Sequence, residues 1–257
     1  MRDSRFKTVT KRGLASVGLE VRRTVSPTRE DFYPVVDTCQ VKNLSFIFEL
    51  FLGSRENGSF VEVGAYDGIT YSNTWGLAER GWTGLLLEPV PALAEASKRN
   101  HVNHLKVSVQ QKAIGAQEDR IQLRLAGPYT TADPQQAEDY EKVEWAARWM
   151  TEEVIEVEQI TLDAALRKSS IGSDFDVLVV DVEGHEMPVF EGFSLARWTP
   201  KMMIVELEDV HPVLHTNRAS HARLTQRILT EGYGIVYKDS VNTVFVRQDV
   251  LSAALSS

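Results

Sequence analysis

A single cysteine, Cys39, stands in 257 residues. No intrachain disulfide can form, a metal site built on several cysteines is excluded, and a reducing cytoplasm fits best. Long apolar runs are also missing from the head of the chain. Its longest uncharged stretch, Gly13–Leu19, is too short for a secretory segment or a membrane span. A broad basic surface is missing as well. Formal charge is −8, but residues 1–29 carry eight Lys/Arg against Asp3 and Glu20, so the body behind the head is strongly acidic. That balance argues against a nucleic-acid partner, since phosphate backbones are held by clustered Lys and Arg. There is no Gly-Lys-Ser/Thr phosphate loop, no Gly-x-Gly-x-x-Gly, no His-Glu-x-x-His, no internal repeat and no low-complexity tract.

What is present is enough apolar material, 43% of residues, for a substantial core. The basic head, taken as an arm over residues 1–37, is either a solvated terminus or a weak contact with an anionic membrane surface. From about residue 38 to 250 the chain reads as one domain. NLSFIFELFL, Asn43 to Leu52, is an apolar helix stopped by Gly53. Strands Ser59–Val63 and Thr83–Leu87 alternate with helices at Thr74–Arg80 and from Pro91 to about Arg99. Leu105–Gln111 and Ile121–Leu125 read as strands, and Thr161–Lys168 as a helix. Phe175–Val180 and Lys201–Leu207 are nearly continuous apolar runs, as expected of strands buried on both faces of a parallel sheet. After a helix at Ser220–Thr230, the strands Tyr233–Tyr237 and Asn242–Arg247 are joined too tightly for a helical crossover, so they pair antiparallel. The pattern predicts a doubly wound, Rossmann-like α/β sheet ending in an antiparallel hairpin.

Asp133–Glu153 interrupts this alternation. On a helix, Tyr140, Val143, Ala147 and Met150 share one face and Trp145 and Trp149 another. The segment is a candidate lid with an aromatic platform; the alternative is that both tryptophans pack into the core or a dimer contact.

Ligands of open α/β sheets bind beyond the carboxyl ends of the strands. The first strand ends in FVEVGAYDG, with Glu62, Gly64 and Asp67, and the second ends in Glu88. A carboxylate at that second position can accept from both hydroxyls of a ribose, in a dinucleotide or in S-adenosyl-L-methionine (SAM). The loop favours SAM. Tyr66 stands where a pyrophosphate needs glycine, and Glu62 and Asp67 repel phosphate while attracting an ammonium or sulfonium. Farther on, VVDVEGHEM places Asp181, Glu183, His185 and Glu186 after one buried strand, and ELEDVHP places Glu206, Glu208, Asp209 and His211 after the next. Two adjacent acid-bearing strand ends can form an oxygen-rich pocket for Mg²⁺ or a similar hard cation. Equally, Glu186 or Glu206 can serve only to cap a helix or pair with an arginine.

The segments FVEVGAYDGITYSNT, GLLLEP, KAIG, ITLD, FDVLVVDVEGHE with EGF, and IVELED, in this order, resemble the FkbM family of SAM-dependent methyltransferases. The resemblance implies a seven-stranded methyltransferase sheet and O-methylation of a hydroxylated acceptor, often a sugar of a glycan or a natural product. Carried over by position, it puts Glu62, Gly64, Asp67 and Asn73 around the methionine part of SAM, Glu88 on the ribose, Lys112 and Ala113 beside the adenine, and Asp181 near the methyl group. The two acid clusters are also similar to metal-dependent O-methyltransferases acting on macrolide sugars. That likeness implies Asp181, Glu208 and Asp209 as ligands of Mg²⁺.

A sugar hydroxyl needs help to lose its proton at neutral pH, and His185 is the candidate base, its ring oriented by neighbouring acids. Its alternative is a purely supporting, hydrogen-bonded histidine. The competing function is a non-catalytic Rossmann-like module that binds a nucleotide or a partner.

Overall fold

Strands in which every residue is buried belong at the centre of a sheet, and two such segments, β7 (Val177–Val180) and β8 (Met202–Glu206, apolar up to its last residue), lie side by side and parallel. The computed structural model describes residues 33–256. The basic arm and its membrane contact fall, up to residue 32, outside the described residues. β1 (Ser59–Val63) pairs parallel with β7 on one side and with β2 (Thr83–Leu87) on the other, and β3 (Val107–Gln110) extends the sheet beyond β2. On the far side β10 (Asn242–Arg247) runs antiparallel to β8 and to β9 (Tyr233–Lys238). The seven-stranded order is β3-β2-β1-β7-β8-β10-β9. This is the expected Rossmann-like methyltransferase sheet with its antiparallel terminal hairpin, and its strand order reverses between β1 and β7.

The period-two alternation of the strands divides the core into two layers. Val61, Val63, Leu178, Val180, Met203 and Val205 face α6 (Leu162–Arg167), α7 (Glu186–Glu191) and α8 (Arg218–Thr230). Their neighbours Phe60, Val177, Val179, Met202 and Ile204 face Tyr33, Phe48 and Trp82, which pack with α1 (Leu44–Leu52) and α2 (Trp75–Glu79). Tyr33 meets Phe48 and Trp82 edge-on, so the packed body begins upstream of residue 38. α9 (Gln248–Leu255), unsignalled in the sequence, follows β10 directly and carries the body past residue 250. No helix among the described residues is long and apolar enough to cross a membrane.

A second sheet was not expected. β4 (Ala113–Ile114) lies parallel, and β5 (Asp119–Arg124) antiparallel, to β6 (Val154–Ile160). The Asp133–Glu153 segment is not one helix. It forms α4 (Pro134–Glu141), begun by Asp133 capping Gln135 N–H, then α5 (Glu144–Ala147), with a break at Lys142–Val143. Val143 is extended there, which turns Ala146 rather than Ala147 inward beside Tyr140 and Leu214.

Candidate active site

Gly64 shows why the cleft opens where it does. Its φ is +85°, and a Cβ there would overlap the backbone oxygen of Asp181, so the ends of β1 and β7 close together only if residue 64 is glycine. From this junction the chain diverges to both sides of the sheet. The space between is a partly open cleft of about 890 Å³, counting the solvent at its mouth. Glu62, Gly64, Asn73, Glu88, Lys112, Ala113, Asp181 and His185, eight of the residues expected from the sequence, line it together. Asp67, Glu208 and Asp209 do not.

Each acid is held differently. Glu62 is buried and accepts from Thr74 Oγ1 at 2.6 Å, Asn73 N at 3.2 Å and Ser72 Oγ at 3.1 Å. Burial outweighs these bonds and pushes its carboxyl up to about 7. Glu88, at the end of β2, accepts Val90 N and Tyr66 N, both at 2.9 Å, and burial takes it too to about 7. Asp67 turns inward to its own loop, accepting from Ile69 N, Thr70 N and Thr70 Oγ1. Its carbonyl takes Asn100 Nδ2, and the next carbonyl, of Gly68, faces His101 Nε2. Both partners sit at the C-terminal end of α3 (Pro91–Asn100), so Asp67 shapes the loop that the other residues use. Lys112 is ion-paired to Glu158 on the small sheet.

Asp181, Glu183 and Glu206 bring carboxylate oxygens within 4.8 Å of one another. Burial and mutual repulsion hold Glu183 and Glu206 well above the usual carboxylate range, and burial raises Asp181 to about 6. Asp181 and Glu206 are within carboxyl-to-carboxyl hydrogen-bonding reach, and Tyr140 donates its hydroxyl to Glu183. The expected metal set of Asp181, Glu208 and Asp209 is not assembled. Lys238 Nζ binds Asp209 at 2.7 Å, and Gln136 Nε2 donates to Glu208 at 2.9 Å. The short 3₁₀ turn Glu208–Val210 bends Asp209 away from the acid cluster and toward Lys238. With Asp209 ion-paired to Lys238 and Glu208 held by Gln136, the expected set does not fit Mg²⁺.

Glu186 has a supporting role, one of the alternatives the sequence left open. It accepts from Val182 N and Gly184 N and faces His221 Nε2 at 2.9 Å, while His221 Nδ1 accepts from Glu208 N. One buried histidine thus ties the loop after β7 to the loop after β8. That first loop is strained: Glu183, a non-glycine residue, has φ 54°. His185 lies beside it, half-buried, and burial lowers its pKa. The ring is not oriented by an acid as expected. Its Nε2 faces Gln159 Oε1 at 3.2 Å, a partner on β6 that the sequence did not signal.

The insertion reaches the acids without its tryptophans. α4 supplies Gln136 and Tyr140, and Asp139 and Asp133 dock it to Thr216 and Asn217. Trp145 and Trp149 are 40% and 42% exposed, so neither is a core residue. Trp145 packs on Tyr129 and Tyr140, and Trp149 covers Gly127, whose neighbours Pro128 and Thr130 line the cleft.

These residues fit SAM. Glu88 presents two carboxylate oxygens already fixed by two backbone amides, the Glu62 and Asp181 carboxyls suit a cationic ligand, and Val90, Leu93, Ile121 and Leu123 form an apolar wall that could face a purine. Residues 62–233 match the family model described as the methyltransferase FkbM domain. No curated protein matches the chain in sequence. Among solved structures, a methyltransferase FkbM from Methylobacillus flagellatus KT is 12% identical, with 74% of this chain and 44% of that chain covered and a TM-score of 0.47. This chain therefore spans less than half of that protein. An O-methyltransferase from Bacillus cereus in complex with SAH is 14% identical, covering 96% of this chain and 92% of that one, with a TM-score of 0.44. The O-methyltransferase TomG from Streptomyces achromogenes, in complex with SAM, is 10% identical over 79% and 77%, with a TM-score of 0.43.

Proposed function

The chain belongs to the FkbM family of SAM-dependent methyltransferases, and from that premise we propose that it methylates a hydroxyl oxygen of a saccharide, glycan or related natural-product acceptor. The observation that carries the reading is the composition of the cleft. Glu62, Glu88 and Asp181 line it, and Lys112, the basic residue expected there, is paired to Glu158. Such a lining repels phosphates and favours a cationic ligand. When bound, SAM supplies an electrophilic methyl group on a sulfonium.

Glu62 and Asn73 would hold the amino-acid end, Glu88 would accept from the ribose hydroxyls, and Val90, Leu93, Ile121 and Leu123, with Ala113, would form the wall for the adenine. Gly64 keeps the cofactor loop in contact with the end of β7, close to Asp181. His185, kept neutral by burial, accepts the proton of the acceptor hydroxyl. Tyr140, bonded to Glu183, and Gln136, bonded to Glu208, brace the acid-bearing loops on the proposed acceptor side of the cleft. Trp145, 40% exposed and packed on Tyr129 next to the cleft-lining Pro128 and Thr130, offers a ring face against which a sugar could stack.

Incubation with SAM and a panel of hydroxylated acceptors, followed by mass spectrometry, is expected to show one methyl group gained on oxygen. Absence of SAM binding by calorimetry would sink the proposal. Binding without transfer, unaffected by His185→Ala and Asp181→Ala, would favour a non-catalytic binding module.

A further inference from the structure

We infer that Gln159 is a positioning residue for His185: it fixes the imidazole as the Nε2–H tautomer and leaves Nδ1 as the one basic nitrogen of the ring. The inference rests on the reading of His185 as proton acceptor, and its first test observes the ring itself.

The assignment follows from which atoms can donate. Gln159 is buried on β6, and its Nε2 lies 3.0 Å from the backbone oxygen of Gln117. A carbonyl only accepts, so the nitrogen of the amide must point there. The amide oxygen is then the atom 3.2 Å from His185 Nε2. An amide oxygen also only accepts, so Nε2 of His185 must carry a proton. No other described residue hydrogen-bonds the ring. In neutral imidazole the remaining lone pair is on Nδ1.

The neighbourhood is built around this amide. A Cβ on Gly115 would overlap Gln159 Oε1, so glycine at that position makes the space the side chain uses. Gly115 N donates to Ile160 O at 3.0 Å, which holds β4 against β6 at the level of Gln159. The charged groups around the ring are Glu186 and Glu191 of α7 and Asp133 at the start of α4, each favouring the imidazolium, and burial outweighs them. A carboxylate in place of Gln159 would add to that side and hold the ring protonated. A neutral amide orients the ring and leaves it free to accept. In the proposed transfer the hydroxyl O–H bond would break, its proton going to Nδ1 and its electron pair forming the new O–CH₃ bond. The bond from that carbon to the sulfonium sulfur would break and leave its pair on sulfur as a neutral thioether. The imidazolium then donates from both nitrogens and passes its proton to water after the product leaves.

Nitrogen-15 NMR of the histidine-labelled full chain tests this, with the His185 signals assigned by their loss in His185→Asn. The wild type at neutral pH is expected to show a pyridine-like Nδ1, a pyrrole-like Nε2 and a slowly exchanging Nε2 proton. Gln159→Leu removes the acceptor, and Gly115→Ala displaces the amide without changing its chemistry. Both are expected to speed exchange of that proton and move the two nitrogen shifts toward those of a tautomer mixture. S-adenosylhomocysteine affinity by calorimetry should stay within about threefold, showing an intact cleft, while kcat falls by about tenfold or more. A wild-type ring protonated on Nδ1, or shifts and exchange left unchanged in both variants, would overturn the inference. If the ring behaves as expected but no acceptor is methylated by the wild type, the proposed function fails and the positioning role stands.

Discussion

Gly64 and Glu88 show how few atoms decide whether this cleft exists. Gly64→Ala combines a left-handed φ with an overlap on the Asp181 oxygen, and neither β1 nor β7 can retreat from the middle of the sheet. The substitution is expected to cost about 3 kcal/mol, read as a lowered midpoint in urea unfolding. Glu88→Ala is expected to act on binding, since it deletes the proposed ribose acceptor and strips two backbone amides of their partner. The expected loss is about 10- to 100-fold in affinity for S-adenosylhomocysteine by calorimetry. The place of both residues at the cleft was legible in the sequence, because ligands of open α/β sheets gather beyond the carboxyl ends of the strands, where both stand. Asp209 was not. It adjoins Glu208 in sequence, yet one turn of 3₁₀ helix sends its side chain to Lys238, and nothing local announces a partner 29 residues away. Gln159 was hidden in the same way: an amide in a strand acquires meaning only from the histidine that the other sheet brings to it.

Among the elements, legibility tracked burial. β7 and β8 are buried on both faces and read as nearly continuous apolar runs, so their places were clear. β6 lies in a sheet with one exposed face, and Glu156, Glu158 and Gln159 break up its apolar signal. α7 is only six residues long and contains Pro188, which is tolerated because it falls in the first turn. α4 carries the clearest functional prediction of an element. Tyr140→Phe removes the donor to Glu183 and leaves the rest of the docked helix in place. It is expected to lower kcat by about tenfold with little change in affinity for SAM, because the side chain is proposed to brace the acceptor side. The hairpin of β9 and β10 is tied to the loop after β8 by the Lys238–Asp209 pair. Lys238→Met leaves a largely buried carboxylate without its cation, and a loss of about 2 kcal/mol in thermal or urea unfolding is expected.

For the whole molecule, the acids lining the cleft set a dependence of stability on pH. Glu62 and Glu88 titrate near 7 in the folded protein, above the ordinary carboxyl value of 4.5. A group raised in this way contributes its full stabilisation below its unfolded pKa, and the contribution is lost as pH rises through its folded one. The unliganded protein is therefore expected to melt at a lower temperature near pH 8 than near pH 5, and Glu62→Gln should flatten the difference. A steeper slope in the variant would contradict the assignment.

The two acids that Thr74 and Tyr66 hold in place have a further consequence. Near neutrality they are partly protonated, and a cation settling beside them favours their ionised forms, so loading the cleft expels hydrogen ions into solution. The heat of ligand binding should then vary with the ionisation enthalpy of the buffer, and an unbuffered sample should acidify on mixing. A methyl donor would arrive by ion exchange, the protein trading its own protons for a larger positive guest.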